Sequence, residues 1–256
     1  MTGRPFPPRT IETARDVSVF EVSDDSVIVV GCDSAGGIGP KPLDKIKVSG
    51  YTLGRFTARV VLMEVLAVGA MPICLTNTLG VEPDPTGLEI LEGIKSEVQL
   101  VRLGYRLVIT GSMEKNVPVN QTGIGVTVVG LASKNELKIG LSQPGDSLVA
   151  VGIPSVKNEV LAAERQRKIA DLDDLLKLMG CGFVHEVIPV GSEGIAREAN
   201  VLAQDSGLQL KLEENEVETK KSAGPSTVVL ASIPKTDVNK LSGVIDKPLH
   251  VIGSFF

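Results

Sequence analysis

The stretch "GCDSAGGIGPKPLDK" (residues 31–45) decides how the rest of the chain is read. It follows the apolar run "SVIVV" (26–30) and carries Asp33, glycines at 36, 37 and 39, Lys41 and Lys45. Two readings suit it. Asp is common where a strand meets a turn, and glycine-rich surface loops are ordinary. Gly36, Gly37 and Gly39 would equally let backbone N–H groups approach an anion, with Lys41 and Lys45 adding charge. The stretch does not match GxxxxGK[ST], so it is not a Walker A loop. A second glycine run, "GIGVTVVG" (123–130), lacks the GxGxxG spacing and lies inside a strand pattern.

Outward from this stretch, "VSVFEV" (17–22) and "SVIVVGC" (26–32) read as strands, and residues 33–53 as a long loop. The first 16 residues, rich in Pro, Arg and Thr, read as an arm. "GRFTARVVLMEVLAVGAMP" (54–72) is apolar on nearly all sides, which predicts a buried helix ending at Gly69. "ICLTNTLGV" (73–81) suits a strand. Leu88, Leu91, Ile94, Val98 and Val101 recur at helical spacing, with Gly104 as the expected cap. Strands at 105–110 and 123–133 follow.

"SQPGDSLVAVG" (142–152) opens a second unit. There the pattern predicts a helix over 158–180 broken near Asp171, a strand at 183–190, and a helix over 192–207 with Ser192 as its N-cap. Strands at 208–212, 227–233 and 249–255 complete it, with a short helix at 236–242. The order is that of an α+β fold in two domains, residues 1–140 and 141–256.

The chain has 256 residues, 43% of them hydrophobic, and a net charge of −5. An acidic chain without Trp is a poor partner for nucleic acid, which wants a basic surface and aromatic platforms. No apolar run is long enough for a membrane span, and the N-terminus has no apolar segment of the secretory type. Three scattered cysteines and two histidines form no zinc pattern, so reduced thiols in a cytoplasmic protein are expected.

Four carboxylates sit at unusual places: Asp16 before the first strand, Asp33 after the second, Glu64 inside the apolar helix, and Glu114 in a polar loop. A charge inside an apolar helix is costly unless it is paired or binds a metal. Arg59 or Lys41 could pair with Glu64 structurally. Taken together, the four suggest hard oxygen ligands for a divalent cation.

These pieces, in this order, resemble the superfamily of aminoimidazole ribonucleotide synthetase, thiamine-monophosphate kinase, selenophosphate synthetase and the hydrogenase-maturation dehydratase. "CDSAGGIGPK" is similar to the family's Asp followed by glycines and lysine. "MEVLAVGAMP" (63–72) matches its Asp-containing helix followed by "GAxP", with Glu64 in place of Asp. "TGSMEKN" (110–116) stands where the family has "GGDT" or "GGET", matching at Gly111 and Glu114. Gly145-Asp146 matches the "GD" that opens the second domain, and "GSEG" (191–194) matches part of "DxSDGL". The departures are mostly Asp replaced by Glu, and Val190 stands where the motif has a leading Asp.

The resemblance implies a PurM-like fold whose N-terminal half dimerises by joining sheets into a β-barrel. It implies ATP and Mg²⁺ as cofactors: phosphates on Gly36, Gly37, Gly39, Lys41 and Gly111, metal on Asp16, Asp33, Glu64 and Glu114. Ser192 and Glu193 would face the substrate, with Glu193 the candidate base beside catalytic Asp33 and Glu64. The chain looks most like a divergent branch that includes α-ribazole kinase of cobamide salvage. A homodimer acting on a small molecule is expected. The alternatives are other ATP-dependent chemistry of the superfamily, such as amide activation or dehydration, and a nucleotide-binding regulator without activity. No reactive N-terminal cysteine motif is present, which disfavours selenophosphate chemistry.

Overall fold

Alternating apolar residues build the first sheet, and one apolar helix covers it. The computed structural model describes residues 9–102, 104, 107–213 and 216–256. The first sheet uses β1 (Arg9–Ala14), β2 (Val17–Glu21), β3 (Ser26–Gly36), β6 (Met71–Leu79), β7 (Val108–Met113) and β8 (Gly123–Ser133). Its order is β1-β2-β3-β8-β6-β7; every neighbouring pair is antiparallel except β6–β7. Two short strands, β4 (Ile38–Gly39) and β5 (Ile46–Lys47), pair in the loop after β3. The sheet is open, with β1 and β7 at its edges.

The period of two assigns one face of this sheet to the core. Val17, Val19, Val27, Val29, Leu75, Ile124, Val126 and Val128 are buried in one cluster with the helix α1 (Gly50–Ala67). Ser49 caps that helix, its Oγ accepting from the Thr52 N–H at 3.1 Å. The helix stops where Gly69 takes φ +86°. A second helix, α2 (Leu88–Leu100), lies against α1 at two glycines. A Cβ on Gly54 would stand 2.0 Å from Ile90 O, and one on Gly93 2.0 Å from Tyr51 O, so only glycine permits this approach. Across the same contact, buried Arg59 of α1 donates to Glu97 of α2 at 2.6 Å.

The second sheet takes β9 (Asp146–Val151), β10 (Glu186–Pro189), β11 (Leu210–Leu212), β12 (Val229–Pro234) and β13 (Leu249–Phe255), in the order β10-β12-β9-β13-β11, all antiparallel. Every residue of β9 and β10 is buried, as in a sheet covered on both faces. Leu148, Ala150, Ile188 and Leu230 pack with α5 (Ile195–Asp205). Val149, Val151, Val187, Val229 and Ala231 join the cluster of α1, together with α4 (Leu172–Gly180). One apolar core therefore runs through both halves. The remaining helix is α3 (Glu159–Arg165), and a 3-10 segment spans Lys235–Gly243.

A polar tie adds to this shared apolar core. Glu186 of β10 accepts from the N–H groups of Gly140, Leu141 and Ser142 at 2.8, 3.0 and 2.9 Å, and from Ser142 Oγ at 2.8 Å. Arg15, in the β1–β2 turn, pairs with the same carboxylate and donates to Val187 O at 3.0 Å. A fully paired carboxylate of this kind is stable where a bare one is not.

Several local expectations change. Residues 9–14 of the expected arm form β1, because β2 offers them an edge to pair with; residues 1–8 lie outside the described set. β3 continues to Gly36 through Asp33, since β8 matches it residue for residue to Gly123. α2 ends at Leu100 with Val101 as its cap, not Gly104. The break near Asp171 is a helix start, where Asp171 and Asp174 form a reciprocal capping box. The N-cap of α5 is Gly194, not Ser192. Gly194 has φ +83°, and a Cβ there would meet Lys221 O at 2.7 Å.

Removing the Glu186 carboxylate leaves Arg15 and three linker N–H groups without their acceptor. Glu186→Ala is expected to cost about 3–5 kcal/mol in urea denaturation. An unchanged midpoint would show that the apolar contact alone holds the halves.

Candidate functional site

The turn fixed by Arg15 delivers its neighbour, Asp16, to a cleft between the halves. Two parts of one cleft meet there. The first, of about 480 Å³, is lined by Asp16, Asp33, Glu64, Ser192, Pro225 and Ser226 among others. The second, of about 280 Å³, shares Asp16 and Ser192 and adds Glu193, Arg197 and Glu198. Asp16, Asp33 and Glu64 come from the N-terminal half; Ser192 and Glu193 come from the turn after β10, Arg197 and Glu198 from α5, and Pro225 and Ser226 from the segment before β12.

Register explains these positions. Asp33 on β3 faces the same side of the sheet as Gly31 and Val29, the side that α1 covers. Glu64 approaches from α1 so closely that a Cβ on Gly31 would stand 3.5 Å from its Oε2. That oxygen is buried without a hydrogen-bond partner. The two cations that the sequence offers Glu64 are used elsewhere: Arg59 pairs with Glu97, and Lys41 pairs with Glu82. The structural ion-pair reading of Glu64 therefore fails.

The electrostatics follow. Burial, then the charges of Asp16, Asp33 and Glu198, push the Glu64 carboxyl up to about 9. Burial first raises Asp33, against a hydrogen bond from the Ser34 backbone that lowers it, and the charge of Asp16 adds to the rise. Burial and Asp16 push Glu198 up to about 7. Like charges gathered in a desolvated cleft are the condition that a cation relieves. Among the described residues, however, no three His, Cys, Asp or Glu side chains already stand in a metal-holding group.

The other residues singled out by sequence lie elsewhere. Gly37 (φ +71°) and Gly39 (φ +144°) shape a loop that is tied internally. Asp44 accepts from Lys41 N at 2.8 Å, Thr122 N at 2.8 Å and Thr122 Oγ1 at 2.7 Å. A Cβ on Gly39 would stand 2.6 Å from Thr122 Oγ1, so this glycine is required by packing whatever it binds. Gly36 has open space around it. Gly111 on β7 lies in the row Asp33–Val126–Asn77–Gly111, three strands from Asp33. It faces a separate cavity of about 670 Å³ between α2 and β7. Glu114 lies beyond it and is half-buried. Its Oε1 accepts from the Asn116 and Val117 N–H groups at 2.7 and 3.1 Å, which hold it below the usual carboxylate range. Within one chain the structure does not bring Glu114 to Asp33 and Glu64. Glu193 is largely exposed and pairs with Arg197 at 3.1 Å.

Sequence reasoning did not find Glu198 or the "GPS" segment, Gly224–Ser226. The signal for Glu198 was a carboxylate on the buried stripe of an otherwise amphipathic helix. Ser226 carries φ +49°, a conformation that non-glycine residues seldom take and that no local sequence pattern announces.

The carboxyl of Glu64 has its folded-state value above the ordinary 4.5. The stability it contributes is therefore full below about pH 4.5 and is lost as pH rises towards 9. At pH 8, Glu64→Gln should raise stability by on the order of 2–4 kcal/mol over wild type, with the gain vanishing at acid pH. Thermal melts at both pH values test this; a lower melting temperature for the variant at pH 8 would reveal an unseen cationic partner.

Residues 14–132 match the family model for AIR synthase related protein, N-terminal domain. Comparison with curated proteins gives no match. Among solved structures, Aquifex aeolicus thiamine-monophosphate kinase complexed with AMPPCP and TMP is similar with a TM-score of 0.63 at 16% identity, over 95% of this chain and 86% of that one. Thermotoga maritima PurL complexed with AMPPCP has a TM-score of 0.63 at 14% identity, over 93% of this chain. This chain spans 42% of that PurL chain. A HypE–HypF complex is similar with a TM-score of 0.59 at 16% identity, over 93% of this chain and 86% of that one. At these identities the likeness is one of fold, and it is mixed α/β and PurM-like. No helix among the described residues is long and apolar enough to cross a membrane.

Proposed function

With residues 14–132 matching the family model for AIR synthase related protein, N-terminal domain, we propose that the protein is an ATP-dependent small-molecule kinase. Its acceptor on this reading is a nucleoside-like alcohol, with α-ribazole the first choice. The observation that carries it is the cleft in which Asp16, Asp33 and Glu64 of one half face Ser192 of the other. Fold neighbours solved with AMPPCP support nucleotide binding.

Phosphoryl transfer asks for alignment and charge neutralisation more than for covalent chemistry. The unpartnered Glu64 oxygen and the mutually repelling carboxylates fit Mg²⁺, a hard cation that takes oxygen ligands. Asp33, Glu64 and Asp16 would hold it, and Glu114 stays outside this set within one chain. When bound, Mg²⁺ would supply neutralisation of phosphate charge. Of the phosphate contacts read from sequence, Gly36 is the most open, and Lys41 would exchange Glu82 for phosphate. Gly39 would contribute its backbone N–H group, whereas that of Gly37 is held by Thr122 O at 2.9 Å and Gly111 lies at the separate cavity. Ser192, two residues before the N-cap of α5, would orient the acceptor, with Glu193 at the rim.

The sheet face opposite α1 supports a homodimer. Ile28, Val30, Val129, Leu131 and Met71 lie on it, and Leu131 and Met71 are exposed. Burying such a face and covering the open edges removes an aggregation liability.

Calorimetry with AMPPCP should show binding that strengthens with Mg²⁺. Absence of binding with and without the metal would remove the kinase reading. Asp33→Asn should lower turnover of ATP and α-ribazole by on the order of 100-fold while the melting temperature holds. Sedimentation at micromolar concentration should give a dimer; a monomer would contradict the role assigned to the open sheet face.

A further inference from the structure

Glu198 is the one buried carboxylate of the cleft without an assigned task. It sits in the first turn of α5, 7% exposed, and lines the 280 Å³ part of the cleft. The other carboxylates around it are matched. Glu186 holds the linker and Arg15, Asp205 accepts from Arg15 Nε at 3.0 Å, and Glu193 pairs with Arg197. The Glu198 carboxylate has no hydrogen bond or ion pair among the described residues. Among the described residues Glu64 Oε2 is the carboxylate oxygen that is both fully buried and unpartnered, so the Glu198 oxygens open onto the cleft, where a ligand can donate to them.

A second observation concerns the space in front of it. The point where a Cβ on Gly191 would stand is 3.9 Å from Glu198 Oε1 and 3.9 Å from Asp16 Oδ2. Two acceptors, one from each half of the protein, therefore border a space that no side chain fills. Ser192 lies beside them, and Gln204 completes the wall. Four carboxylates, Asp16, Glu193, Glu198 and Asp205, outnumber the two arginines that line this part of the cleft, which disfavours an anion. A ligand with two donors on neighbouring atoms fits: two hydroxyl hydrogens of a vicinal diol, one to each carboxylate.

We propose that Glu198, together with Asp16, binds a vicinal diol of the phosphate acceptor, a ribose-type group, and that Glu198 rather than Glu193 is the residue that selects it. This deepens the kinase reading and rests on it for the place of the diol in catalysis. The carbohydrate contact itself can be tested without turnover. Asp16, which lines both parts of the cleft, would link acceptor binding to the carboxylates on the phosphate side.

The test is saturation-transfer NMR on the full chain with two probes, methyl ribofuranoside and α-ribazole. Wild type should give transfer to the diol-bearing ring protons. Glu198→Gln and Glu198→Ala should weaken binding roughly tenfold or more, the loss expected for a hydrogen bond to a charged group. Asp16→Asn, on the other half, gives a second reading if a position 198 variant folds poorly. No transfer to either probe, equal binding by the variants, or a larger effect from Glu193→Gln would overturn the proposal. AMPPCP calorimetry on the same samples separates this failure from that of the kinase reading, since nucleotide binding can survive when the diol contact does not.

Discussion

The carboxylate of Glu186 is the constraint on which the site depends. It is buried at the junction, and its donors come from the linker and from Arg15 of the first turn. Its position on β10 sets where the following residues, Gly191 to Gly194, emerge. Its partner Arg15 sets where Asp16 stands. One anion thus orients the two walls of the cleft relative to each other. The apolar core that runs from α1 to the second sheet supplies the bulk of the contact, but apolar packing alone is not directional. The hydrogen bonds to Glu186 give the direction.

The cleft stores electrostatic cost that the rest of the molecule does not. Elsewhere, buried charges are matched: Arg59 with Glu97, Lys247 with Asp171 and Asp174, Asp44 with the Thr122 backbone and hydroxyl. In the cleft Glu64 and Glu198 are not matched, and both are pushed towards the protonated form by burial and by Asp16. A protein that pairs its other buried charges and leaves these two concentrates its strain where ligands have access. The glycine loop shows the opposite arrangement. It satisfies its own hydrogen bonds through Asp44, so its shape is set before any anion arrives.

Much of this order was legible in the chain itself. The alternation in "SVIVV" and "GIGVTVVG" wrote two central strands, and a helix without a polar face could only be buried. Glu64 stood out because a carboxylate within such a helix needs a reason. The sequence could not say which cation answers it, and its two candidates, Arg59 and Lys41, are drawn away by Glu97 and Glu82, residues distant along the chain. Gly54 and Gly93 carry no signal of their role within the two helical patterns, yet they are the contact between the helices.

What the sequence determined by itself is local: which residues alternate, where apolar faces lie, where charge is out of place. These follow from periods of 2 and 3.6 and from the cost of burying charge, and neither needs a partner to be known. Tertiary structure alone decided which carboxylates meet. Asp16, Asp33, Glu64 and Glu198 are spread over more than 180 residues of chain, and their meeting depends on strand register, on the close approach of α1 to Gly31, and on Glu186. Glu114, only a short way along the chain from Gly111, is held apart because the sheet places it three strands from Asp33. Proximity in sequence carries no information about such distances, since register between strands is set by long-range pairing.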